Sequence, residues 1–210
     1  ISEVTFEHCI FRHLSGSGVY ITSGGVPTIK YCDFYDINGC GVFSHAASQG
    51  EISYSTISHI SCGICCAGLS PWSQIIKIDH VTIYDIDVRM AEQPGTWSGY
   101  GIATVTYPAG TVYITNSIIQ KSYRTGLKID SGWQVYNDYN CWYDHLWGSV
   151  ENGEVGVHGL DDIDPLLADP ENRDFRLLTD SPCIGAASDG SNLGANQEVI
   201  SKITDKREVS

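Results

Sequence analysis

Apolar and polar residues alternate along this chain in bursts of three to five, and each burst stops at Gly, Ser, Asn or Pro. A period of two belongs to a half-buried strand, and the breakers set strand ends. No stretch holds a 3.6-residue period long enough for a helix. The bursts also recur. "CIFRHLSGSGVY" (residues 9–20) and "CDFYDINGCGVF" (residues 32–43) place the same residue types in the same order. With a small residue as anchor, the copies start at Cys9, Cys32, Ser55, Val81, Ser117 and Cys141, at gaps of 23, 23, 26, 36 and 24 residues. Phe6, Ile29, Ile52, Ile78 and Ile114 precede the first five anchors by three. Phe11, Phe34, Ile57, Ile83 and Ile119 follow them by two. Later in each copy come Gly18-Val19, Gly41-Val42, Gly63-Ile64, Gly101-Ile102 and Gly126-Leu127.

A unit of this length with three short strands and no helix predicts one coil of a parallel β-helix. Coils stack about 4.8 Å apart, so each residue meets its own equivalent above and below. Like residues then form columns, with Phe and Ile inside and Cys or Ser at a tight turn. The 36-residue gap holds an extra loop, "DVRMAEQPGTWSGY", from residue 87.

The eight cysteines follow the repeat. Cys9, Cys32 and Cys141 are expected in the inward small-residue column, as small hydrophobes. Cys40 and Cys62 precede the repeat glycine in neighbouring coils, where a bridge is possible. Cys62, Cys65 and Cys66 are close in sequence, but alternation along one strand sends them to opposite sides and argues against zinc.

From Tyr139 the pattern changes, to "YNCWYDHLWG" and then "DIDPLLADPENRDFRLLTDSPCIGAASDGSNLGANQ". This Asp-Pro-Leu, Asp-Phe-Arg-Leu, Ser-Pro-Cys-Ile-Gly-Ala and Leu-Gly-Ala series resembles the last coil and C-terminal cap of bacterial right-handed parallel β-helix proteins. It is most similar to the group called choice-of-anchor Q domain proteins. The resemblance implies an all-β, right-handed solenoid of about six coils with a C-terminal cap, the handedness included. It also implies an extracellular or cell-surface location, among relatives that include polysaccharide lyases, glycoside hydrolases and proteins without known activity. The expected organisation is coils over 1–138, last coil and cap over 139–197, and a linker or following segment over 198–210. Pro165, Pro170 and Pro182 cannot extend a ladder, which suits a segment that shields an open end. Both ends read as cut from something longer, and the first coil shows no cap, so end-to-end self-association is a further expectation.

A formal net charge of -13 opposes nucleic-acid binding, which needs clustered Lys and Arg. No apolar run approaches the roughly 20 residues of a membrane helix, and no signal-peptide leader is visible. Ten acids against two Arg lie between Asp144 and Asp180. They lack the spacing of known calcium loops, so no cofactor is expected, with calcium in this run a weak alternative.

Candidate chemistry gathers on the strand after the repeat glycine and the loops beyond it. Alternation points Tyr20, Phe43, His45, Cys65, Ala103, Lys128 and Asp130 outward there. Trp72, Trp97, Tyr107 and Trp133 fall on neighbouring loops. The functional reading is a polysaccharide platform, with those four aromatics stacking on sugar rings and Asp130, Lys128 and His45 as catalytic candidates. The plainer readings are rings covering coil turns and a Lys128–Asp130 pair. The alternative function is structural, an adhesin stalk or filament subunit. His13, Asp36, His59, Asp85 and Lys121 form another outward column, expected to be a solvated mixed-sign ladder.

Overall fold

The computed structural model describes residues 2–22, 24–45, 49–68, 74–90, 97–105 and 110–201. They form a solenoid of parallel strands, as the repeat predicts. The first coil holds β1 (Ser2–Glu7), β2 (Ile10–Leu14) and β3 (Val19–Ile21); the second β4 (Gly25–Lys30) and β5 (Asp33–His45); the third β6 (Gln49–Ser53) and β7 (Thr56–Ala67). The fourth holds β8 (Ile75–Asp79), β9 (Thr82–Ile86) and β10 (Ile102–Val105); the fifth β11 (Thr111–Thr115), β12 (Ile118–Ser122) and β13 (Leu127–Lys128); the sixth β14 (Gln134–Asp138), β15 (Cys141–Tyr143) and β16 (Val150–Glu151). β17 (Leu160–Asp161) starts another turn by pairing with β15. One sheet runs β1-β4-β6-β8-β11-β14, one strand per coil, and the second collects the remaining solenoid strands.

Register follows the columns. Phe6 pairs with Ile29, Ile29 with Ile52, Ile52 with Ile78 and Ile78 with Ile114. These isoleucines, with Phe34, Ile57, Ile83 and Ile119, make one continuous buried core. The repeat glycine is required by close approach: a Cβ on Gly18, Gly63 or Gly101 would lie within 2.7 Å of the carbonyl oxygen of the next coil's glycine.

The anchor residues do more than fill space. Ser55 Oγ donates to the Ser53 carbonyl at 2.8 Å and accepts the Cys32 amide at 3.1 Å. Ser117 repeats this with the Thr115 carbonyl and the Val81 amide, and the Cys32 thiol donates to the Lys30 carbonyl at 3.2 Å. At Ser55 and Ser117 a small side chain that both donates and accepts therefore ties the corner to the coil before it, whereas the anchor Val81 has no such group. In the sixth coil the anchor is Asn140, whose side chain accepts the Ser117 amide as the serines accept theirs, but donates to the Ile114 carbonyl of the preceding coil. Cys141 is one residue past the column, since it pairs with Ile118, and it faces outward into a separate cluster.

Just before each anchor lies a column in the left-handed backbone region: His8, Tyr31, Tyr54, His80, Asn116 and Tyr139, with φ between 48° and 56°. Such backbone costs on the order of 1 kcal/mol or more per residue. Here ring stacking accompanies it, with centroids 5.1 Å apart for His8–Tyr31, 5.3 Å for Tyr31–Tyr54 and 4.8 Å for Tyr54–His80.

The C-terminal segment differs from an end plug. β18 (Leu167–Asp169), β19 (Asp174–Leu178) and β20 (Val199–Ile200) make a small sheet of their own. Leu167, Phe175, Leu177, Cys183 and Leu193 pack on Tyr84, Ile118 and Cys141, the outward residues of β9, β12 and β15. Gly194 and Ala195 donate their amides to the Asn116 carbonyl and to Thr82 Oγ1. The segment thus lies along the flank of coils four to six, because that is where the solenoid presents apolar residues outward. At the C-terminal end of the core, the fully buried Trp142 and the partly buried Val150 and Val155 do the covering instead.

Candidate functional site

The face chosen by alternation carries a groove. Tyr20 on β3 stacks on Phe43 of β5 with centroids 5.1 Å apart and planes 5° from parallel. In-register pairing of these two residues forces the arrangement. Trp97, from the inserted loop, meets Phe43 edge-on at 5.7 Å and 70°. These three rings wall a groove of about 500 Å³, with Ser15, Ser17, Asn38, Cys40 and Ser61 among its other lining residues. Its floor is the corner where Gly39 lies over Gly16, so closely that a Cβ on Gly39 would sit 2.7 Å from the Gly16 carbonyl. Ser61 Oγ donates to the Gly39 carbonyl at 2.8 Å, and the Cys40 amide donates to Ser17 Oγ at 3.4 Å. All of the lining residues are uncharged.

Beneath the groove the outer side of the strands is not open. Cys40, Cys62, Cys65, Ala67, Tyr100, Ala103 and Val105 form a second buried cluster, with Phe43 and Trp97 partly buried against it. Cys65 and Ala103 point outward as alternation requires, but the insert covers them. Cys66 faces the main core, so Cys65 and Cys66 go to opposite sides as expected, but Cys62 lies with Cys65 in the outer cluster. All eight cysteines are free thiols.

The proposed site residues divide. Trp97 is on the groove. Trp72 and Tyr107 lie outside the described residues, as does Glu92. Trp133 is corrected: it is only 7% exposed and belongs to the main core, where its ring fills the space above Gly110. A ring so enclosed has no face for a sugar. His45 is half-buried beside Tyr20 and Phe43, with centroids 6.1 and 6.2 Å away. Lys128 and Asp130 are paired at 3.0 Å, and Lys128 Nζ also sits 5.5 Å from the Tyr100 ring centre. His45 pairs with Ala67, Ala67 with Val105, and Lys128 lies a further coil on. Three rungs at about 4.8 Å separate the histidine from the ion pair by about 14 Å. The three catalytic candidates therefore do not converge on one bond.

The mixed-sign column is real and extends further than its sequence suggests. His13 approaches Asp36 at 3.6 Å and His59 approaches Asp85 at 3.7 Å. Lys121 bridges Asp85 at 3.2 Å and Glu171, from the flanking segment, at 2.6 Å. Tyr84 donates its hydroxyl to Glu171 at 2.7 Å. These bonds from Lys121 and Tyr84 hold the Glu171 carboxyl below the usual range. His59, Asp85 and Glu171 bring three potential metal ligands within 4.8 Å of one another, and the Lys121 ammonium is shared between the two carboxylates. In the acidic run, Asp164 accepts the Leu166 amide, Asp169 the Asn172 side chain and Asp174 the Arg176 guanidinium. Those carboxylates serve local turns and pairs.

The sequence model of the family described as "Right handed beta helix region" matches residues 1–119, the first four coils and the start of the fifth. No curated protein matches the chain.

Proposed function

The chain belongs to the right-handed β-helix family, and on that premise we propose that it is an extracellular domain that binds polysaccharide in the groove walled by Tyr20, Phe43 and Trp97. The family fits a polysaccharide-related or a structural β-helix protein. The observation that carries the first of these is the aromatic wall: three ring faces and edges beside Ser and Asn side chains in the same lining. Sugar rings have apolar faces that stack on aromatic side chains and hydroxyls that bond amides and serines, so both halves of the groove have a partner. The absence of charge among the lining residues, on a chain of net charge -13, favours a neutral glycan over a uronate. Binding without cleavage is the reading adopted. Glycoside hydrolysis generally uses two carboxylates some 5–9.5 Å apart, as a general rule of about that size, and the groove lining holds none.

The test is a fluorescence titration with neutral and uronic oligosaccharides, with and without calcium, alongside an assay for new reducing ends. A neutral glycan is expected to give a saturable change that weakens at least about tenfold in Trp97→Ala, on the scale of a removed aromatic anchor. No response to any glycan, or a response that Trp97→Ala leaves intact, would overturn the assignment and favour the structural role.

A further inference from the structure

We propose that Cys40 and Cys62 are a peroxide-sensitive dithiol that closes to a disulfide between the second and third coils. Four observations support this. Cys40 pairs in register with Cys62 across adjacent parallel strands. Partners on neighbouring strands lie about 4.8 Å apart with side chains on the same side, inside the roughly 4.4–6.8 Å Cα window of a disulfide. Of the three thiols in that buried cluster only Cys40 is also among the groove's lining residues, so a small oxidant entering there reaches it first. Bonds from the Cys62 and Cys65 thiols, and from Ser17, hold the Cys40 thiol well below its ordinary range, whereas burial pushes Cys62 and Cys65 up.

The other cysteines are arranged differently. Cys9 and Cys32 donate their thiols to the carbonyls of Glu7 and Lys30, and burial pushes the Cys32 thiol up. Cys66 is buried in the core, and burial pushes it up to about 12. Cys141 donates to the Ile163 carbonyl, and its interaction with Cys183 raises it. The Cys40 group is thus the attacking thiolate and Cys62 the resolving thiol. The Cys40 thiolate attacks one peroxide oxygen and the O–O bond breaks. This yields Cys40 sulfenic acid and hydroxide, which takes a proton from solvent to become water. The Cys62 sulfur then displaces the sulfenic hydroxyl, which leaves as water with the Cys62 proton. In sum, two thiols and one peroxide give one disulfide and two waters.

The experiment treats the reduced chain with one equivalent of hydrogen peroxide at neutral pH, alkylates the remaining thiols and maps the peptides by mass. The expected product is a Cys40–Cys62 cross-linked peptide, two hydrogens lighter than its reduced parts, formed before any oxidation of Cys9. Cys9 is the least buried of the eight, so exposure alone would make it react first. In Cys62→Ser the reaction is expected to stop at a Cys40 sulfenic acid that dimedone traps. Cys9 oxidised ahead of Cys40, or Cys40 joined to Cys65, would overturn the proposal. If Cys62→Ser does not fold, the cross-link map of the unaltered chain decides alone.

Discussion

Replacing Gly63 by alanine puts the rung-on-rung geometry to the test. A Cβ at that position lies 2.1 Å from the Gly101 carbonyl oxygen and 3.0 Å from Ile83 Cγ2. The carbonyl cannot simply retreat, because it accepts the Ile64 amide at 3.0 Å. Overpacking typically costs about 1–3 kcal/mol, and a displaced backbone atom belongs at the upper end because it has no rotamer to escape into. A weakened ladder bond adds up to about 1 kcal/mol. The expected loss is about 3 kcal/mol. At roughly 2–4 °C per kcal/mol for a chain of this size, the midpoint should fall by about 6–12 °C. Gly16→Ala is the control, since a Cβ there meets nothing within 4 Å and its φ is ordinary; it should stay within about 0.5 kcal/mol of the parent. Thermal and urea unfolding followed by circular dichroism measure both. If Gly63→Ala unfolded at the same midpoint as Gly16→Ala, close approach between coils would not be the reason for the repeat glycine, and the stacking argument would be wrong.

Two pH effects follow from buried or paired groups. His145 is lowered to about 4 by burial, so it folds neutral while the unfolded chain takes up a proton near pH 6.5. The stability this neutral form contributes is complete above about pH 6.5 and is lost as pH falls towards 4. By pH 5 the loss is about 2 kcal/mol, and urea unfolding at pH 7 and pH 5 should show it in the parent but not in His145→Gln. Glu171 is held low by Lys121 and Tyr84, so its contribution is present above the ordinary carboxylate range and disappears as pH falls through its depressed folded value. Because Glu171 is largely exposed, Glu171→Gln should cost less than about 1 kcal/mol at pH 7. Its deficit should vanish in acid, read as converging midpoints at low pH.

Much of the solenoid is legible along the chain because stacking is periodic. The Ile columns, the repeat glycines and the inserted loop are visible as spacing alone. So is the aromatic left-handed column, in retrospect: His8, Tyr31, Tyr54, His80 and Tyr139 each stand one residue before an anchor. The sixth anchor was harder. Cys141 has the expected residue type, but Asn140 has the side chain that both accepts and donates at the corner, and hydrogen-bond capacity outweighs size there.

The site was legible only in part. Trp97 sits in an insert beside the strand that faces outward, and its place on the groove follows from that. Trp133 has the same apparent position on a loop, yet its ring turns into the core over Gly110. Glu171 is far from the solenoid's charged column in sequence and adjacent to it in space.

What the sequence alone determined is the coil, its length and the residues that stack from rung to rung, because each position packs against its own equivalent and repetition records that contact. What only the tertiary structure decided is which outward residues stay outward. The insert covers Cys65 and Ala103, and the C-terminal segment covers Tyr84, Ile118 and Cys141. Neither cover shares the period of the coils, so no spacing along the chain announces where it will lie.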